Sequence, residues 1–131
     1  LLSQLCILTT FWAIWRLALL LNLSEAQAII SIFLLEAIFY YNFATPEFND
    51  NVLQLPLWAL TVSFFYSALK NQQIRDWCLT GLLAGLAMMA KYYTVMLLLP
   101  MILIIFGTQE GRRSFKCLGF YWAILLGFII V

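Results

Sequence analysis

Long apolar runs separated by short polar breaks set the rhythm of this chain. The runs cover residues 1–21, 24–43, 52–69, 77–90, 92–106 and 117–131. A helix needs about 20 predominantly apolar residues to cross a bilayer, so the pattern predicts an all-α fold, a polytopic bundle of about six membrane helices. Ser24-Glu25-Ala26-Gln27 has the spacing of a capping box and predicts a helix start at that point. Between residues 77 and 106 the apolar character is interrupted by Lys91. That stretch of ~30 residues is too long for one ordinary span, which favours a helical pair over a single helix kinked at Pro100. Gly81-Leu82-Leu83-Ala84-Gly85 places two glycines one turn apart, the spacing that lets helix backbones approach closely.

Composition agrees with the pattern. Of 131 residues, 65% are hydrophobic and 10% charged, where a soluble domain is about half apolar and a quarter charged. With a mean hydropathy of +0.97, the chain reads as an integral membrane protein whose first partner is the lipid bilayer. The net charge of +1 excludes a nucleic-acid partner held by electrostatics. There is no histidine, so histidine-based acid–base chemistry, nucleophile pairs and metal sites are excluded, and a general base has to be a carboxylate, a Tyr or a Lys. Cys6, Cys78 and Cys117 are scattered in apolar surroundings and read as small hydrophobic filler. Trp12, Trp15, Trp58, Trp77 and Trp122 read as interfacial-belt or packing residues. The chain starts without Met and stops within an apolar run, so we expect 1–131 to be a single segment of a larger membrane domain, acting with the remainder of a full-length chain. Neither a basic leader nor a cleavage site precedes the first helix, which argues against a signal peptide.

Charge then orients the spans. Arg16 precedes the first connection, Lys70 and Arg75 flank the third, and Arg112, Arg113 and Lys116 lie in the fifth. Alternating connections share one side of a membrane, and excess Lys and Arg marks the cytoplasmic side. Residues 22–24, 70–76 and 107–116 are therefore the expected cytoplasmic loops. The loop 44–51, with Glu47 and Asp50, and the connection at Lys91 are expected outside. Asn22-Leu23-Ser24 matches a glycosylation triplet but falls on the cytoplasmic side, so it reads as chance.

Chemistry concentrates at the outer face. Asp50 stands between Asn49 and Asn51 at the start of the third span, where a carboxylate serves either as a helix cap or as a functional group. With Glu47, Asn49 and Asn51 it also forms a set of four groups able to ligate a hard divalent cation or hold sugar hydroxyls. Lys91 either extends its ammonium to the headgroups or holds a phosphate just above the bilayer, with Tyr92 and Tyr93 beside it. Glu36 lies mid-span, where charge costs roughly 3 kcal/mol, and is either a hydrogen-bonded structural group or a functional one, with Tyr40 one turn further on.

These residues resemble a known family. The run Phe48-Asn49-Asp50-Asn51-Val52-Leu53, through Trp58-Ala59-Leu60 to Phe64-Phe65-Tyr66-Ser67-Ala68-Leu69, is similar to its Asp-headed membrane helix. A Trp-led helix follows, Trp77 to Ala90, closing on Ala90-Lys91-Tyr92 and then Leu97-Leu98-Leu99-Pro100. This order resembles bacterial members of the dolichyl-phosphate-mannose–protein mannosyltransferase superfamily, glycosyltransferase family 39. The resemblance covers about half to two-thirds of the chain, and its ordered set is more specific than any one motif. It implies a GT-C fold with its active site at the outer face and a polyprenyl-phosphate-linked sugar as donor. It also implies a hydroxyl of a lipid, glycan or protein as acceptor, and residence in a bacterial cytoplasmic membrane. By the same match, Asp50 corresponds to the second outer-face acidic position and Lys91 to the lysine of the Lys-Tyr motif. The family's leading acidic motif has no counterpart among these residues.

The expected roles follow. Asp50 orients the acceptor or acts as base, and Lys91 binds the donor phosphate. Glu47, Asn49, Tyr92 and Glu36 contact substrate, and Asp50 with Glu47 would take the metal. The faces of the fourth and fifth spans would cradle the prenyl tail. Two rivals stand beside this reading: a transporter or channel subunit with Glu36 as its coupling residue, and a structural bundle in which Gly81 and Gly85 matter most.

Overall fold

The computed structural model describes residues 1–37 and 48–131. It contains helices α1 (Leu2–Leu20), α2 (Glu25–Glu36), α3 (Asp50–Asn71), α4 (Ile74–Ala90), α5 (Thr94–Gly107), α6 (Gln109–Ser114) and α7 (Leu118–Ile130). No strand occurs among the described residues. α1 and α3 are long and apolar enough to cross a membrane by length and composition. α4, at 17 residues, α5, at 14, and α7, at 13, are shorter than the ~20 that span a bilayer perpendicularly.

Interior and exterior are inverted relative to a soluble protein. α3 buries Ala59, Thr61, Ser63, Ser67 and Ala68, while α1 buries Ser3, Thr10, Ala13 and Ala18. Many large side chains face outward, among them Phe33 and Leu34 on α2, Met96 and Leu103 on α5, and Phe128 and Ile129 on α7, while Phe65, Trp77, Met101 and Ile105 form a buried cluster. Small and weakly polar residues between helices with bulky apolar ones outside are what a lipid solvent selects, because lipid imposes no penalty on exposed Leu or Phe while close backbone packing still gains dispersion.

α1 pairs with α2 and α3, α3 with α4, and α4 with α7, while α5 rests against α4 and α6. The α4–α7 seam is the closest. A Cβ added at Gly81 would overlap the backbone of Ala123, and one at Gly85 would sit 3.0 Å from the Ile130 side chain. The two-glycine spacing thus serves helix packing, as its sequence suggested. Beside this seam Trp77, read from sequence as a belt or packing residue, is 2% exposed and takes edge-to-face contacts from Phe65 at 6.0 Å and Phe120 at 5.4 Å.

Connections are tighter than the polar letters suggested. Asp50 and Asn51 are helical, so the expected loop 44–51 ends at Asn49, the cap of α3. α3 persists to Asn71 and α4 starts at Ile74, leaving Gln72 and Gln73 where the loop 70–76 was expected. The loop 107–116 folds into α6. The reason is common to all three: backbone amides and carbonyls near a bilayer are best satisfied inside a helix, so polar residues at the ends join it. The Ser24–Gln27 capping box forms as its spacing predicts, with Gln27 N 3.3 Å from Ser24 Oγ and Ser24 N 3.0 Å from Gln27 Oε1. The 77–106 stretch is two helices, parted by extended backbone at Lys91 (φ −161°), and Pro100 lies inside the second.

The connections sort to two ends. At one, Lys70 Nζ donates to Leu20 O at 3.3 Å, and Gln72 Nε2 donates to Glu110 O at 3.2 Å and Ser114 Oγ at 3.0 Å. Gln72 sits in the left-handed region (φ 54°) as the cap of α3, and its carbonyl accepts from Cys117 Sγ at 3.4 Å. Asp76, 7% exposed in the first turn of α4, accepts there from Ser67 Oγ at 2.7 Å. Lys91, Asp50 and Asn51 meet at the opposite end.

Candidate functional site

Helix chemistry places the leading carboxylate. Asn49 adopts extended backbone, and its Oδ1 accepts from Val52 N at 3.0 Å. The capping role considered for Asp50 therefore belongs to Asn49, an equally good cap. Asp50 becomes the first helical residue, where the dipole favours its charge. Its Oδ2 lies 3.3 Å from Lys91 Nζ, with the side chains of Lys91 and Asp50 27% and 57% exposed.

Lys91 is presented by the break between α4 and α5. Its amide closes α4 by donating to Ala87 O at 3.0 Å, and its extended backbone turns the side chain out of the helical course. The ammonium also donates to Asn51 Oδ1. Beneath it Thr94, fully buried, accepts from Trp58 Nε1 at 3.1 Å and Gln54 Nε2 at 3.5 Å, and donates to Ala87 O at 2.9 Å. Asp50, Gln54 and Trp58 recur every fourth residue and so form one stripe along α3.

Two cavities flank these groups. One, of about 370 Å³, runs between α1, α3 and α5, with Asn51, Gln54 and Trp58 toward the Lys91 end and Thr10, Ile14, Leu17 and Val62 among its remaining lining residues. The other, of about 620 Å³, lies among α4, α5 and α7 and is lined almost wholly by apolar residues, including Phe65, Trp77, Met101 and Phe128. It shares no lining residue with the polar cluster.

A model of the dolichyl-phosphate-mannose-protein mannosyltransferase family matches residues 1–131. The chain belongs to this family. No curated protein and no solved structure matches it. Membership makes this mannosyltransferase-family chain an all-α membrane protein of GT-C type and carries glycosyl transfer in general, with a lipid-linked sugar donor and an acceptor.

Within this mannosyltransferase-family chain, the helix start at Asn49 and Asp50 and the break at Lys91 come together. Tyr92 is in the turn after Lys91 and is 84% exposed. Glu36 is the last residue of α2, about 18 Å from that helix's start, on the element packed against α1. Glu47 and Tyr40 lie outside the described residues. Among the described residues no three carboxylates or thiols cluster as a metal site, Asp50 pairs with an ammonium, and Glu47, the other expected ligand, lies outside the described residues. Residue-type reasoning counted Asn51 with the outer polar groups and missed Gln54, Trp58 and Thr94. The signal was there for Gln54 and Trp58, as hydrogen-bonding groups at four-residue spacing behind Asp50 in an otherwise apolar helix. Thr94 carried no signal, because a lone threonine in an apolar run is ordinary.

Proposed function

We propose that the chain forms part of an enzyme that moves a sugar from a polyprenyl-phosphate donor to a hydroxyl of a lipid, glycan or protein at the outer face of a bacterial cytoplasmic membrane. The observation that carries this reading is the 3.3 Å pair of Asp50 Oδ2 and Lys91 Nζ, a carboxylate and an ammonium at one end of an apolar bundle. Lys70, Arg75, Arg112, Arg113 and Lys116 at the other end support a cytoplasmic location for that end.

In the transfer, the bond between the anomeric carbon and the phosphate oxygen breaks, and the electron pair leaves with the phosphate. The acceptor oxygen bonds to the anomeric carbon and loses its proton. Lys91 offsets the charge gathering on the leaving phosphate, worth roughly 10²–10³ in rate for comparable donors. Asp50 orients the acceptor hydroxyl and takes its proton, a contribution of about 10²–10⁴. The two roles are coupled. Before the donor arrives the carboxylate and ammonium satisfy each other, and a phosphate on Lys91 releases Asp50 toward the acceptor. The tail of the donor lies in the cavity between α1, α3 and α5, which adjoins Asn51. That volume falls within the roughly 300–1,000 Å³ common for ligand pockets. This replaces the faces of α4 and α5 as the preferred location, because the larger cavity there does not touch the cluster.

The test is transfer by the full-length protein carrying Asp50→Asn or Lys91→Ala, at matched membrane abundance. Each is expected to lose on the order of 100-fold or more. Activity close to wild type in both variants removes the assignment. Labelling of Asp50→Cys and Lys91→Cys in intact cells tests the placement, and reaching them from opposite compartments refutes it.

A further inference from the structure

We infer that Thr94, held by Trp58 and Gln54, is the positioning residue for Lys91, and this rests on the phosphate role proposed above. A threonine hydroxyl has one hydrogen and two lone pairs. Thr94 uses all of them, donating to Ala87 O at 2.9 Å and accepting from Trp58 Nε1 at 3.1 Å and Gln54 Nε2 at 3.5 Å. Its amide donates to Lys91 O at 3.1 Å, while Lys91 N donates at 3.0 Å to the same Ala87 carbonyl that takes the Thr94 hydroxyl. The Lys91 carbonyl thus accepts from the Thr94 amide, and the Lys91 amide shares its acceptor with the Thr94 hydroxyl.

The other side of the device is α3. Gln54 and Trp58 continue the stripe headed by Asp50, so anchoring Thr94 to them sets the backbone of Lys91 relative to the carboxylate. This matters because a lysine ammonium rides on a flexible four-carbon stem with much rotamer freedom to lose. With the backbone pinned below and Asn51 Oδ1 accepting from Nζ above, the ammonium is held before the donor phosphate arrives. An ordinary interhelical hydrogen bond would also hold α3 to α5, but it would act on folding and not through Lys91.

The experiment measures binding of the full-length protein to phosphatidylcholine vesicles doped with polyprenyl monophosphate. Thr94→Val, which keeps the shape and loses the hydroxyl, is expected to weaken binding about tenfold, or ~1.4 kcal/mol. Thr94→Ser is expected to restore it. In a Lys91→Ala background Thr94→Val should not weaken it further. A further loss in that background equal to the loss in wild type, or no rescue by Ser, overturns the inference and leaves a packing role. If Thr94→Val fails to accumulate in membranes, Thr94→Ala, which also removes the hydroxyl, carries the same comparison. Wild-type binding by Lys91→Ala alone is a separate outcome: it removes the phosphate role of Lys91, and with it the positioning role.

Discussion

Asp50 Oδ2 and Lys91 Nζ meet at 3.3 Å across two antiparallel helices joined at their far ends by Gln72 and Gln73. Both side chains are partly exposed, and an exposed ion pair adds only about 0–1 kcal/mol to stability. Asp50→Asn and Lys91→Ala should therefore leave unfolding in detergent within about 1 kcal/mol of wild type while abolishing most transfer. A loss of stability matching the loss of activity would show that the pair is structural.

Asn51 should separate donor binding from turnover. Its Oδ1 accepts from the Lys91 ammonium without bringing charge. Asn51→Ala is expected to raise the donor KM several-fold with a smaller effect on kcat. Asn51→Asp should raise it further, because a second carboxylate competes with phosphate for the ammonium. Donor titrations at saturating acceptor check both, and an Asp variant with improved donor affinity would contradict the idea.

The two glycines of the α4–α7 seam should respond unequally. A methyl at Gly81 meets the backbone of Ala123, which cannot rotate away, whereas at Gly85 the nearest atom, at 3.0 Å, belongs to the side chain of Ile130. Gly81→Ala should cost about 1–3 kcal/mol in a detergent unfolding assay, within the range for overpacking, and Gly85→Ala less. The reverse order would mean that the seam is packed differently.

Ser67 is the hydrogen-bond donor to a buried acid. Ser67→Ala leaves Asp76 Oδ2 without the 2.7 Å bond from Oγ, and an orphaned buried acceptor costs about 1–3 kcal/mol, more for a charged one. Asp76→Asn should be milder, since a neutral amide is less costly to bury. Neither change should alter the kcat of the folded fraction, because both groups sit at the end opposite Lys91. Reduced kcat at unchanged stability would place Asp76 in the reaction.

Some of this site was visible in the residues and some was not. Asp50 and Lys91 stood out because charge beside long apolar runs is rare, and the alternation of the connections between two sides already put them at a common end. Asn49 as the cap was hidden by its neighbour, since Asn and Asp cap equally well and the letters do not say which one adopts extended backbone. Thr94 was invisible because its importance lies in partners 36 and 40 positions away.

Class and topology were local matters here. Apolar run length, the Ser24–Gln27 box and the charge of each connection act over a few residues, so the helices and their alternation could be read directly from the chain. Which helices touch, that α4 seats Gly81 on Ala123, that the ammonium meets one carboxylate and one amide, and that Thr94 lies beneath it are relations between distant segments. In lipid the large apolar side chains carry no inside-or-outside preference, so the apolar pattern cannot select partners. Close packing of small residues and a few hydrogen bonds do so, and those exist only once the helices have met.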